Sequence, residues 1–201
     1  MALIRIPWVP PGAPSEDLPR IKATKKIAIV CGSARCLWDD LAELEGVDAD
    51  LVAVGFSGMA LPRRPVHWVS QHAFDFQWML PYLKRGRVLT DSGLFVRHIE
   101  THSNRACACV LHVWPKSVMP DRGSSGESAA RVSLAMGYER VILAGVPLDD
   151  QGHFYDPPPG LMGASYYNYS TYVKSWESSA AEFAGRVRSV SGLTRDLLGA
   201  P

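Results

Sequence analysis

The feature that most constrains this chain is the order of elements between Gly123 and Asp149. A glycine-serine loop, Gly123-Ser124-Ser125-Gly126, opens a helical stretch from Ser125 to Met136, a turn follows at Gly137, and Val141–Ala144 reads as a buried strand. Ser124 and Glu127 fit the capping box, in which an N-cap hydroxyl and a carboxylate three residues on satisfy backbone N–H groups at the helix start. Ala129, Ala130, Val132, Leu134, Ala135 and Met136 recur at helical spacing, and Gly137 stands where a left-handed residue ends a helix. The continuously apolar strand matches one covered on both faces, and it delivers the polar loop that begins at Asp149. Loop, helix and strand in this order build a ligand site at the carboxyl edge of a parallel sheet.

The same grammar recurs upstream. Lys26–Cys31 reads as a short apolar strand that enters Gly32-Ser33-Ala34-Arg35 and then a helix from Cys36 to Glu45, with Leu37, Leu41 and Leu44 on one face and Asp39, Asp40, Glu43 and Glu45 around the other. Further strands are expected at 51–55, 66–70, 87–90 and 107–113, and helices at 74–84 and 170–190, with a Gly-rich bend at Gly55-Phe56-Ser57-Gly58. Strands alternating with helices imply a single α/β domain over 23–201, a Rossmann-like three-layer fold with a mostly parallel sheet. Residues 1–22 carry five prolines and read as an extended arm lying on the domain or on a neighbouring copy, a route to a homo-oligomer.

Composition narrows the function classes. Twenty-one basic against 20 acidic residues leave a net charge of +1, so no nucleic-acid surface or polybasic membrane patch is expected. No apolar run reaches the roughly 18 residues of a spanning helix, and the Pro-rich start lacks a signal-peptide core, which points to a cytoplasmic protein. The four cysteines show no metal-ligand spacing and read as buried thiols; no metal is expected. The histidines at 98 and 102 are four apart without a carboxylate at ligand spacing, and His67 and His112 fall in strands.

Three loops carry the polar chemistry. Gly32, Ser33 and Arg35 leave a strand for a helix, where backbone N–H groups and the helix dipole suit a phosphate; the plainer reading is a short connection, since neither the G-x-G-x-x-G spacing nor a P-loop is present. Ser124, Ser125 and Gly126 offer the same at the second helix start, although the capping box already employs Ser124 and Glu127. Ser125 does not fit the nucleophile elbow G-x-S-x-G, because Glu127 stands at the last glycine. The loop after the sixth strand is the richest, with Asp149, Asp150, His153, Tyr155 and Asp156, then Tyr166, Tyr167, Asn168, Tyr169 and Tyr172. A histidine there can take a proton and a tyrosine hydroxyl can hold a leaving phosphate, and a long loop in a compact domain is more often functional than decorative.

The run from Gly123 through Gly137-Tyr138-Glu139-Arg140-Val141-Ile142-Leu143-Ala144-Gly145-Val146-Pro147-Leu148, followed by Gly152-His153-Phe154-Tyr155-Asp156, resembles the second conserved region of the bacterial sialyltransferase-like and MptE-like (DUF115) proteins. Ile27–Ala34 with Leu37 is similar to their first region, and Trp68-Val69-Ser70-Gln71-His72 to their middle strand, so the resemblance spans about residues 26–156. It implies transfer of a glycosyl group, or a diphosphate, from a nucleotide-activated donor to a hydroxyl acceptor, the donor being a substrate and not a tightly held cofactor. Ser33, Ser124, Ser125 and Gly126 would touch the nucleotide, Tyr155 would meet the phosphate, and His153 would be the base; the reading of the loops themselves adds Gly32, Arg35 and Asp149 as candidate nucleotide contacts. The chain departs from the pattern at Ala34 and Arg35, at Gly55-Phe56, at Pro147, and in having no secure counterpart of the sialyltransferase histidine after residue 160. Those departures support a second reading, a non-catalytic nucleotide-binding or assembly protein on the same scaffold.

Overall fold

The computed structural model describes residues 23–63, 65–70, 94–96, 111–112, 123–156 and 169–201, with backbone alone for 94–96, 111–112 and 169–171. Its strands are β1 (Ile27–Cys31), β2 (Asp50–Val54), β3 (His67–Ser70), β4 (Leu94–Val96), β5 (Leu111–His112), β6 (Arg140–Ala144) and β7 (Val187–Ser189). The helices are α1 (Leu37–Glu43), α2 (Ser57–Ala60), α3 (Ser125–Ala135), α4 (Tyr169–Phe183) and α5 (Gly192–Leu198). The strands form one sheet in the order β5-β4-β3-β2-β1-β6-β7, and all six pairings between these strands are parallel.

Alternation along the strands sorts the core into two layers. Ala28, Val30, Val52, Val141 and Leu143 face Ala129, Ala130, Val132 and Met136 of α3 and Trp176 and Phe183 of α4. Ile29, Cys31, Leu51, Ala53, Ile142 and Ala144 face the other way, onto Leu37, Leu44, Leu61 and Trp68. The result is the expected three-layer α/β fold. Chain order reverses direction across the sheet between β1 and β6, so the carboxyl ends of these two strands form the switch point where such sheets bind ligands.

Several elements differ from the sequence reading. The closing helix ends at Phe183, because Ala184 (φ 48°) and Gly185 (φ 75°) both take left-handed conformations, and the residues expected to prolong it instead form β7 and lead into α5. The bend after β2 contains one helical turn, α2, pinned by Ser57, whose Oγ accepts from Val54 N at 3.0 Å and donates to Cys31 O at 2.6 Å. Asp40 does not join the solvent face of α1; it is buried. Strand β4 was not anticipated. The Pro-rich arm, the expected strand at 87–90, the helix at 74–84, most of 107–113, His98, His102, Cys107, Cys109 and the tyrosines at 166 and 167 lie outside the described residues.

Candidate functional site

Helix α3 begins as its sequence dictates. Ser124 is the N-cap, its Oγ accepting Glu127 N at 3.2 Å, and Gly137 follows the helix with φ 99°. The Glu127 carboxylate is buried and turned to α4, where Ser175 Oγ donates to it at 2.5 Å and Ser179 Oγ also donates; Arg131 Nε, one turn on in α3 itself, lies 3.4 Å from it. Ser124 Oγ also accepts Trp176 Nε1 at 3.1 Å. Of the expected capping box the Ser124 half forms, while the Glu127 carboxylate serves α4; between them Ser124 and Glu127 bolt α3 to α4.

Glycines set how closely the loops approach one another. A Cβ on Gly32 would collide with Gly145 O and come within 2.6 Å of Val146 Cγ2, and one on Gly126 would lie 2.9 Å from Val146 Cγ1. The Val146 side chain is therefore seated between the first glycine loop and the opening turn of α3. The backbone continues the seam: Gly32 N donates to Ala144 O at 2.7 Å and Ala34 N to Gly145 O at 3.1 Å.

The exit from β6 is held from several directions. Buried Asp40 accepts Gly145 N at 2.7 Å and Ser191 Oγ at 2.8 Å. Thr194 Oγ1 donates to Val146 O at 2.6 Å, and Leu193 N to Pro147 O at 2.8 Å. These bonds over-determine the path into Leu148, a non-glycine residue at φ 55°, a conformation that costs on the order of 1–3 kcal/mol and persists only where its surroundings enforce it. Cys36 joins this cluster through Ser191, its Sγ and the hydroxyl lying 3.3 Å apart, and burial pushes its thiol up to about 11, so it stays protonated near neutrality.

From Asp149 the loop folds back over the first loop. Ala34 and His153 form an antiparallel bridge, and Phe154 N donates to Ser33 O at 2.9 Å. Arg35 spans the loop, with Nε on Gln151 O at 2.8 Å and a terminal nitrogen on Asp156 O at 2.7 Å. Asp156 Oδ2 accepts His153 N at 2.7 Å and lies 3.0 Å from His153 Nδ1. Burial lowers the His153 pKa, while the charge and hydrogen bond of Asp156 oppose the shift. The His153 ring stacks on Tyr155, centroids 4.8 Å apart and planes 15° apart, and Tyr155 meets Phe56 at 5.2 Å.

Of the residues singled out from the sequence, Gly32, Ser33, Arg35, His153 and Tyr155 meet in this one arrangement, and Gly126 joins it through Val146. Ser33 Oγ faces Val54 O at 3.4 Å, and Ser125 opens α3. Asp149 caps its own loop by accepting Gln151 N at 3.1 Å. Sequence reasoning missed the positions of Asp40, Thr194, Trp38 and Phe56: the first two act through backbone groups distant in sequence, and the two rings, which meet Phe154 at 5.9 Å and Tyr155 at 5.2 Å respectively, give no local pattern. No cluster of three or more His, Cys, Asp or Glu able to hold a metal occurs among the described residues. No helix there is long and apolar enough to cross a membrane.

The same fold occurs in solved structures of the sialyltransferase CstII from Campylobacter jejuni. One, in complex with a trisaccharide acceptor and CMP, superposes with a TM-score of 0.60 at 14% identity over 87% of this chain and 86% of that one. Two others, with cytidine-5'-monophosphate and with CMP-3FNeuAc, give TM-scores of 0.56 and 0.59 at the same identity, each covering 88% of this chain and 85% and 86% of the other. No protein-family model matches the chain, and no curated protein matches it.

Proposed function

We propose that this protein is a glycosyltransferase that moves a sugar from a nucleotide-activated donor to a hydroxyl acceptor. The observation that carries the reading is the convergence, at the carboxyl ends of β1 and β6, of two glycine-bearing loops and a histidine-tyrosine loop around Val146. The opening turn of α3, with the amides of Ser125 and Gly126 at the positive end of the helix dipole, suits the donor phosphate. Asp156 fixes Nδ1 of His153 as the protonated nitrogen, which leaves the Nε2 lone pair to take the proton of the acceptor hydroxyl. In the transfer step the hydroxyl oxygen bonds to the anomeric carbon, the bond to the nucleotide phosphate breaks, the proton passes to His153, and the Tyr155 hydroxyl hydrogen-bonds the leaving phosphate. The fold shared with CstII, whose complexes hold CMP, makes a cytidine nucleotide the first donor to test.

A nucleotide-binding protein without transfer activity is the second reading. Its support is that Arg35 and Ser124, both expected against the donor, hold protein groups: Arg35 the 151–156 loop and Ser124 the Trp176 indole.

The test is thermal unfolding with CMP, UDP and GDP and their sugar conjugates, followed by assay of donor cleavage. A ligand at about 100 times its Kd stabilises by about 2.7 kcal/mol. A shift accompanied by sugar transfer or donor hydrolysis supports the enzyme; a shift without turnover supports the second reading; no shift with any nucleotide overturns both.

A further inference from the structure

Ser191 stands as the N-cap of α5, yet its hydroxyl takes no amide of its own helix. An N-cap serine ordinarily accepts from the second or third helical N–H. Here the hydroxyl donates instead to Asp40 Oδ2 at 2.8 Å, and the second helical amide, Leu193 N, donates to Pro147 O at 2.8 Å. The third residue, fully buried Thr194, has one hydroxyl proton and places it on Val146 O at 2.6 Å, nearer than Ser191 O at 3.1 Å. Gly192 closes the contact: it sits at φ 65°, and a Cβ there would collide with Pro147. The first turn of α5 therefore directs its polar groups to the exit of β6 and not to its own cap.

This grip acts on a closed loop. Ala34 meets the segment at both of its ends, donating its amide to Gly145 O at 3.1 Å and forming the antiparallel bridge with His153. Between those anchors the chain turns at Leu148, whose φ of 55° a leucine adopts only under constraint. Asp40 and α5 hold the outgoing limb at 145–147, and Arg35 holds the returning limb through Gln151 O. A backbone angle at one residue re-aims everything that follows it. The turn at Leu148 thus sets how the loop comes back over Ser33 and where the His153 ring stacks on Tyr155. Strain of this kind collects at functional sites, where the surroundings enforce it.

We infer that Thr194 is a positioning residue of the site: by fixing Val146 O it enforces the turn at Leu148 and so sets where the His153 ring lies. The consequence for proton transfer rests on the transferase reading, while the position of the ring is measured without donor or acceptor.

The experiment compares wild type with Thr194→Val, which keeps the shape and loses the proton, Thr194→Ser, which keeps the proton, and Leu148→Gly, which frees the turn without altering α5. Tyr138→Phe, a hydrogen-bond deletion at the opposite end of β6, controls for general loss of stability. The readouts are the NMR shifts of the His153 ring protons, which the stacked Tyr155 ring displaces, and hydrogen exchange at Phe154 N; thermal shifts with CMP run in parallel. Thr194→Val and Leu148→Gly should each move the His153 resonances toward their unfolded values and speed exchange at Phe154 N by about fivefold or more. Thr194→Ser should stay near wild type, and Tyr138→Phe should move neither readout. Readouts that Thr194→Val leaves unchanged, that Thr194→Ser fails to restore, or that Tyr138→Phe changes equally overturn the inference. Should Thr194→Val not fold, Thr194→Ala, which leaves room for water at Val146 O, is read in the same way. Failure of CMP to shift any of these proteins would sink a cytidine donor and leave the positioning result standing, so the two fail separately.

Discussion

Asp156 grips His153 twice through one oxygen, Oδ2 lying 2.7 Å from the backbone amide and 3.0 Å from Nδ1. Burial nonetheless dominates and holds the ring below its ordinary pKa of 6.5, so the neutral base prevails at neutral pH. The folded state binds fewer protons than the unfolded one, so this group's contribution to stability is complete above pH 6.5 and is lost as pH falls through the folded value. Asp156→Asn removes the charge that raises the pKa and leaves the burial that lowers it, so the NMR titration midpoint of His153 moves further down. A midpoint that rises instead would contradict this account. His153→Ala is expected to lower kcat by about 10²–10⁴-fold while nucleotide thermal shifts persist.

Arg35 acts on the same loop from its two ends. One guanidinium reaches the carbonyls of Gln151 and Asp156, a fork that the single ammonium of lysine does not reproduce. Arg35→Ala is therefore expected to cost about 1 kcal/mol, below the range of about 1.5–3 kcal/mol for hydrogen bonds to charged groups because solvent screens the partly exposed site. Its sharper signature is local: faster hydrogen exchange at Phe154 N and a His153 midpoint that moves up toward 6.5 as the loop opens to water. Arg35→Lys should recover less than half of the stability. If exchange at Phe154 N stays as in the wild type, the guanidinium does not hold the loop.

What the sequence disclosed and what it concealed divide along the range of the interactions. Ser124, Glu127 and Gly137 write the bounds of α3 in local chemistry, and the apolar run of β6 declares its burial, so the half of the site they build was legible. The role of Arg35 was not, because its partners are backbone carbonyls more than a hundred residues away and any residue type would supply them. Asp40 misled for a related reason: helical spacing put it beside Asp39 and Glu43, whereas the amide of Gly145 and the hydroxyl of Ser191 draw it inward. The end of α4 was misplaced because Ala184 takes a left-handed conformation that its side chain disfavours, at the turn that leads the chain into β7 beside β6.

The packing of Val146 between two glycines makes the spacing of the loops sensitive to one methyl group. At Gly32 the added carbon meets the backbone of Gly145, which cannot swing aside, whereas at Gly126 it meets only the tip of Val146. Gly32→Ala should destabilise by about 1–3 kcal/mol or more, and Gly126→Ala by less, since a side chain yields where a ladder does not. The double variant Gly126→Ala with Val146→Ala should regain stability relative to Gly126→Ala alone if the clash is local. Chemical denaturation of the four proteins checks the order.

At the opposite edge of the sheet, Tyr138 OH donates to the buried carboxylate of Asp50 at 2.6 Å, beside Thr24 Oγ1 at 2.6 Å and the amides of Thr24 and Lys25 at 3.0 and 3.1 Å. Burial alone would raise the pKa of Asp50, but these four donors outweigh it and hold the group below 3.8; the same burial, with the Asp50 charge, raises that of Tyr138. Because the folded pKa lies below the unfolded one, the stabilisation is complete above pH 3.8 and disappears as pH falls through the folded value. Tyr138→Phe should cost about 1.5–3 kcal/mol at neutral pH, the range for a hydrogen bond to a charged group. The deficit should narrow on acidification, once Asp50 is protonated in both proteins and the lost donor no longer faces a charge. Urea unfolding of both at pH 7 and at a pH below the NMR titration midpoint of Asp50 in the folded protein measures this, and a deficit that stays constant between the two would mean that the Tyr138 hydroxyl stabilises independently of the carboxylate charge.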